Sequence, residues 1–317
     1  MRRLALPVGP ADAGERIDRF IAARGGISRG LARRALESGG VFLDGRRCKI
    51  AGRLLRPGQQ VVVNLEEGGR PDAAPPPLDA ARLLYADEHL AAVDKPAGVP
   101  AQPTLTSDRG TLPELVAALL GGPVQLVHRL DRETSGVTVF ARTAGAAAAL
   151  AEAFRTGGPE KTYLALCARP PSPPEGRIAA PIGKDARRAG LRRVVIAGAG
   201  GRDALPAGSA DEAATRYRTL RAGLAALVEA RPETGRTHQI RVHLAHLGAP
   251  LLGDPRYGGP RRVAGVDVPR VMLHAARLEL AHPVTGAPLA FEADVPEDFL
   301  SVLRALVAAV DGAPETP

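Results

Sequence analysis

The amino-acid sequence predicts an α+β protein, a mixed and mainly antiparallel sheet with helices packed on it, preceded by a small α/β module. Three observations carry this. From residue 80 on, strand-like apolar runs do not alternate strictly with helical ones, as a doubly wound parallel sheet would require. Residues 66–79, EEGGRPDAAPPPLD, lack apolar periodicity and carry three consecutive prolines, which is the composition of a partly extended linker. The charge is lopsided: residues 1–70 hold 14 Lys+Arg against 7 Asp+Glu, and the other 247 residues hold 28 against 27. The 317 residues thus divide into a basic module at 1–65, a linker at 66–79 and a larger domain at 80–317.

In chain order, Ile17, Phe20 and Ile21 recur at helical spacing over 15–24. Ser28 caps a second helix, 29–38, whose inner side is Leu31, Ala35 and Leu36; Gly39-Gly40 ends it. Val41-Phe42-Leu43 and the turn dipeptide Asp44-Gly45 predict a hairpin, and Val61 to Leu65 a strand. Beyond the linker, Leu83-Leu84-Tyr85 and Leu90 to Val93 read as paired strands, and Thr111 caps a helix through Leu120. Val137-Thr138-Val139-Phe140-Ala141 alternates like a half-buried strand, and 145–155 is an Ala-rich helix. Strands follow at 164–167 and 224–229, and a helix at 238–247 with Ile240, Leu244 and Leu247 on one side. The tract 198–212 reads as a loop, and Glu297 to Val310 as an amphipathic helix.

Composition excludes several classes. Two cysteines, Cys48 and Cys167, form no CxxC pair or disulfide framework, which suits a reduced, cytoplasmic compartment. The first residues are too short an apolar run for a signal peptide, and no stretch approaches the ~18 apolar residues of a membrane span. There is no G-x-x-x-x-G-K-[ST] and no strand-to-helix G-x-G-x-x-G, so no nucleotide or flavin cofactor is expected. His238, His243 and His246 stand at intervals of five and three, without HExxH or a nearby Cys, so no metal is expected either. No exposed heptad suggests assembly, and a monomer is expected. The basic first fifth of the chain points to an anionic partner, most commonly nucleic acid.

The chemistry concentrates in His128-Arg129-Leu130-Asp131-Arg132-Glu133-Thr134-Ser135-Gly136. An isolated Arg-Asp-Arg loop is usually only solvated. Here one carboxylate, between two arginines, stands at a strand entrance, where it stays ionised and can serve as nucleophile or base. The whole string resembles the catalytic motif of the RluA family of pseudouridine synthases. Lys161-Thr162-Tyr163-Leu164-Ala165-Leu166 and Glu233 to His243, ETGRTHQIRVH, resemble that family's second and third motifs. Asp94-Lys95-Pro96-Ala97-Gly98, Leu251 to Gly258 and Leu273 to Leu278 also match its pattern, so the likeness covers roughly residues 80–300 in order. In the basic module, ERIDRF…ISRGLARRALESGGVFLDG resembles the S4 RNA-binding domain.

The resemblance implies a pseudouridine synthase fold and an enzyme that isomerises uridines in structured RNA, most commonly large-subunit ribosomal RNA. It implies that Asp131 either attacks the substrate or takes the ribose 2′ proton. Arg241 would keep Asp131 ionised, Tyr163 would pack on the extruded base, with proton transfer at C5 as a further role open to it, and Arg129 would help expel the uridine and occupy the gap. Arg132, Thr134, Arg236, His238 and Leu273 are expected around the substrate, and Arg29, Arg33, Arg34, Arg46 and Lys49 on phosphates. No cofactor is implied, because nothing is oxidised, reduced or added. A non-catalytic RNA-binding or ribosome-assembly protein on the same fold is the competing reading, and it has no need of Asp131, Tyr163 and Arg241 together.

Overall fold

A computed structural model describes residues 2–65, 78–185, 188, 190–195 and 210–307, which divide into two compact units. The first is built on β1 (Arg2–Pro7), α1 (Ile17–Gly25), α2 (Arg29–Ser38), β2 (Val41–Leu43), β3 (Arg46–Arg47) and β4 (Gln60–Leu65). Its antiparallel sheet runs β1-β4-β2-β3. Ile17, Phe20, Ile21, Leu36, Val41, Val61 and Val63 are fully buried between that sheet and the two helices. α2 starts where the Ser28 hydroxyl accepts the Leu31 N–H at 3.2 Å and stops at Gly39, whose φ of 87° few other residues tolerate. The hairpin turn is Asp44-Gly45, both at positive φ. β1 is absent from the sequence reading: RRLALP is short and basic, and only its six-residue pairing with β4 makes it a strand.

The division differs from the expected 1–65 and 80–317. Residues 99–122, including α3 (Leu112–Leu120), cluster with the first unit, because the loop before α3 is bonded to it. Arg47 donates to the Thr104 carbonyl at 2.7 Å, Ser38 to the Thr106 carbonyl at 3.3 Å, and Lys49 pairs with Asp108 at 2.8 Å. Thr111 stands at the α3 N-cap without a side-chain cap; Glu114 instead accepts the Gly110 N–H. Most of the expected linker, 66–77, lies outside the described residues.

The second unit holds β5 (Leu83–Ala86), β6 (Leu90–Lys95), β7 (Gln125–Leu126), β8 (Ser135–Ala141), α4 (Ala144–Thr156), β9 (Glu160–Cys167) and β10 (Glu175–Ala179). β11 (Ile182–Lys184), β12 (Arg192–Val194), β13 (Ala210–Asp211), β14 (Ala214–Ala222), β15 (Ala226–Pro232) and α5 (Gln239–His246) follow. The unit ends with β16 (Arg262–Val263), β17 (Val266–Asp267), β18 (Leu273–Ala281), β19 (Pro288–Glu292) and α6 (Glu297–Leu306). The main sheet runs β10-β14-β15-β9-β18-β8-β6-β5, with β7 beside β8 and β19 beside β18. Among the described residues every pairing is antiparallel except β18 with β8, so the sheet is mixed and mainly antiparallel as expected.

The expected half-buried strand at 137–141 is fully buried. β8 lies in the middle of the sheet with residues packed on both faces, and Thr138, which mimicked an exposed position, is buried too. The strand expected from Leu224 begins at Ala226, since Leu224 stands exposed in the β14–β15 turn. Most of the expected 198–212 loop falls outside the described residues; Ala210 and Asp211 form β13 against β11. Among the described residues no helix is long and apolar enough to cross a membrane.

Candidate active site

The three strongest candidates come from three distant parts of the second unit. Asp131 opens a tight turn, closed by the Thr134 N–H on its carbonyl at 3.1 Å, which delivers the chain into β8. Gly136, φ 113°, makes that entry possible: a Cβ there would lie 2.1 Å from the Ala275 carbonyl oxygen of β18. Tyr163 stands on β9, two strands from β8, and Arg241 on the buried side of α5. A cavity of about 790 Å³ brings together Asp131, Tyr163, Arg241, Arg129, Thr134, Arg236, His238 and Leu273. Arg132 is not among its lining residues; its guanidinium donates to the Gly98 carbonyl at 2.9 Å.

Arg241 is shared between two carboxylates. Its Nε and Nη2 donate to Asp254 at 2.6 and 2.8 Å, and its Nη1 donates to Asp131 Oδ2 at 2.8 Å. The Tyr257 ring covers the guanidinium at 5.0 Å. Burial opposes the charge, but Asp254 first and Asp131 second raise the Arg241 pKa above its ordinary value. The bidentate Asp254 pair fixes the guanidinium plane and leaves Nη1 to reach Asp131.

Asp131 Oδ1 faces His238 Nε2 at 3.9 Å. His238 holds an unusual left-handed backbone, φ 59°, immediately before α5. Its Nδ1 meets the Tyr257 hydroxyl at 2.7 Å, and that hydroxyl accepts the Arg192 N–H at 3.0 Å. The imidazole is thus anchored through Nδ1, with Nε2 on the Asp131 side. Burial, partly offset by Asp131, brings the His238 pKa down to about 4, so the ring is neutral at pH 7. Gln239 pins the preceding loop: its amide oxygen accepts from Thr234 and the Arg236 N–H, and its NH₂ donates to Ala214 and Thr215.

Burial and then the Asp131 charge raise the Tyr163 pKa, so this ring is a protonated, largely apolar plate. Lys95, fully buried, donates to the carbonyls of Pro96 and Arg132 at 3.0 Å each and so ties β6 to the Asp131 turn. Burial lowers its pKa to about 7 despite Asp131. Arg129 is exposed and reaches Thr237 at 3.4 Å, and Arg236 bonds the Glu212 carbonyl at 3.0 Å. In the first unit, Arg33, Arg34 and Arg46 are exposed, Arg29 is paired with the buried Asp18, and Lys49 with Asp108. Among the described residues no three His, Cys, Asp or Glu side chains are placed to hold a metal. Both nitrogens of His243 are committed, to Thr215 and to the Ala180 carbonyl.

Sequence reasoning missed Asp254, Tyr257 and Lys95 as parts of the site. Each lies in a segment noted only for family likeness, and one signal was available: an acid in LLGDPRYG, directly after a buried apolar pair.

A carboxylate held by a doubly anchored arginine at the mouth of a mixed sheet, beside an aromatic plate, defines a class. The chain belongs to the RNA pseudouridine synthases: the family model described as RNA pseudouridylate synthase matches residues 89–246, and an S4 domain model matches 15–61. An uncharacterized RNA pseudouridine synthase of Chloroflexus aurantiacus is 41% identical, covering 94% of this chain and 92% of that one. Within the class the chain is also similar to ribosomal large subunit pseudouridine synthase D of Xanthomonas campestris, 37% identical over 96% of this chain and 92% of the other. The solved structure of human RNA pseudouridylate synthase domain containing 4 superposes with a TM-score of 0.59 at 30% identity, covering 71% of this chain and 92% of that one.

Proposed function

We propose that this enzyme converts uridines of large-subunit ribosomal RNA to pseudouridine, acting as a cytoplasmic monomer. The observation that carries the reading is the Arg241–Asp131 pair inside a cavity walled by Tyr163 and Leu273. The similarity to a ribosomal large subunit enzyme over nearly the whole chain supports the choice of RNA. The reaction breaks the C1′–N1 bond, turns the base and forms C1′–C5; atoms are conserved, so no cofactor enters its balance. Asp131 is the reacting carboxylate, by attack on the substrate or by removal of the 2′ proton. Arg241 holds one of its oxygens, and the other faces the substrate side beside His238.

Tyr163 replaces the stacking that the extruded base gives up, and Leu273 closes the pocket beside it. With its proton held, Tyr163 serves as face and donor, not as base. Arg129, exposed beside the turn, fills the gap in the RNA, and Thr134 and Arg236 border the substrate, while Arg132, outside the cavity lining, holds the neighbouring loop at Gly98. Arg29, Arg33, Arg34, Arg46 and Lys49 of the basic module contact phosphates, whose sequence-independent energy offsets part of the cost of extrusion.

Carbodiimide mapping of pseudouridine in ribosomal and transfer RNA, with and without this gene, tests the proposal. One or a few large-subunit sites should vanish and return with wild type but not with Asp131→Asn. Restoration by Asp131→Asn would remove Asp131 from its role. A map in which only transfer RNA sites change would overturn the substrate.

A further inference from the structure

Lys161 is a cation without a counter-charge in the active-site cavity. The chain has only four lysines. Lys49 pairs with Asp108 and Lys95 with two carbonyls, whereas the ammonium of half-buried Lys161 has no hydrogen-bond or ion-pair partner among the described residues. The cavity's two acids are already engaged: Asp131 by Arg241, and Glu233 by Arg177 and Arg216. Burial alone lowers the Lys161 pKa. A partly desolvated ammonium of this kind is unfavourable in the free protein and is relieved when a ligand brings an anion.

Its position distinguishes two ends of the cavity. Lys161 and Tyr163 alternate onto one face of β9, about 7 Å apart along the strand. The Asp131 charge is felt by Tyr163, Lys95 and His238, and the Lys161 charge by His128. At the Lys161 end, His128 stacks on Phe154, with centroids 4.4 Å apart and planes at 18°. His128 Nε2 accepts the Val139 N–H at 2.9 Å, which keeps this ring neutral. Leu126 and Val127 complete an apolar wall. The total volume, about 790 Å³, lies in the upper part of the range for small-ligand pockets.

We propose that this end is a second nucleotide subsite, in which Lys161 takes the phosphodiester flanking the extruded uridine and the Phe154 wall receives the sugar and base attached to it. The proposal rests on the RNA-isomerising function above and deepens it: the enzyme reads two consecutive nucleotides in one cavity.

The test uses the full chain and a large-subunit ribosomal RNA transcript carrying tritium at uridine C5, from which pseudouridine formation releases tritium. Lys161→Gln should raise KM about tenfold, the scale of one charged contact. It should also lower the slope of log KM against log salt by roughly 0.7 to 0.9, one released counterion. Lys161→Arg, which keeps the charge, should retain both values. A fall in kcat with an unchanged salt slope would place Lys161 on the reacting base and overturn the subsite, as would Lys161→Gln kinetics equal to wild type. Wild type that releases no tritium would overturn the assigned substrate instead, and the subsite with it.

Discussion

Asp254 is fully buried and bonds neither cavity nor solvent; its partner is Arg241, through both carboxylate oxygens. That makes it the residue on which the orientation of the Arg241–Asp131 pair depends. Asp254→Asn keeps the shape but removes the charge that balances Arg241. The guanidinium is then free to turn fully onto Asp131, or to lose its aim. Breaking one side of a buried pair costs on the order of 3 to 5 kcal/mol. We expect Asp254→Asn to lose that much stability in urea unfolding and to lower kcat more than it raises KM. Wild-type stability and kcat in this variant would show that Arg241 needs only Asp131.

At the scale of elements, the site depends on the only parallel contact of the main sheet among the described residues. β18 meets β8 through His274 with Ser135 and Ala275 with Gly136, next to the turn that presents Asp131. The backbone approach there leaves no room for a side chain, and the φ of Gly136 would strain one in any case. Gly136→Ala should therefore separate β8 from β18 and cost about 3 kcal/mol or more, with loss of activity exceeding loss of RNA binding. Denaturant titration beside a turnover assay reads both; an active, stable Gly136→Ala protein would refute the close-approach account. Arg270 reinforces the same junction, donating to the Glu133 carbonyl, Ser135 and Asp298.

Across the whole molecule, acid sensitivity follows from histidines kept neutral. His243 and His274 each lie between a hydroxyl and a backbone carbonyl, so each has one nitrogen donating and the other accepting. Burial lowers both pKa values, and it lowers His128 to about 3 and His238 to about 4. Below the unfolded value of roughly 6.5 the unfolded chain binds protons that the folded chain refuses, so stability falls as pH falls. Unfolding free energy should drop between pH 6.5 and 5, by up to about 1.4 kcal/mol per pH unit for each such histidine. A flat profile over that interval would mean that the folded histidines titrate normally.

The proposed phosphate contacts likewise belong to the whole basic module. Arg33 and Arg46 are exposed, whereas Arg29 also neutralises buried Asp18. Replacing Arg33 and Arg46 together with Gln should lower the salt slope of RNA binding by roughly 0.7 to 0.9 for each and leave stability unchanged. An unchanged slope would take these two off the phosphates.

Much of this was legible along the chain. The second helix was read to the residue, and the Asp44-Gly45 hairpin and the mixed sheet were read as well, because caps, turn dipeptides and periodicity act over a few residues; Asp131, Tyr163 and Arg241, named from motif strings, meet in one cavity. What was illegible depends on contacts between distant residues. Val99–Gly122 joins the first unit through bonds to Ser38, Arg47 and Lys49, and β8 is buried because sheet and helices cover both its faces. Asp254, Tyr257 and Lys95 enter the site only when loops far apart in sequence converge. The amino-acid sequence by itself determined most of the elements and the candidate site residues, since these rest on local sterics and residue chemistry. Only the tertiary structure decided which carboxylate aims Arg241, which hydroxyl anchors His238 and which cavity cation has no side-chain partner among the described residues, because hydrogen bonds and charges act through space, across 110 residues in the case of Arg241 and Asp131.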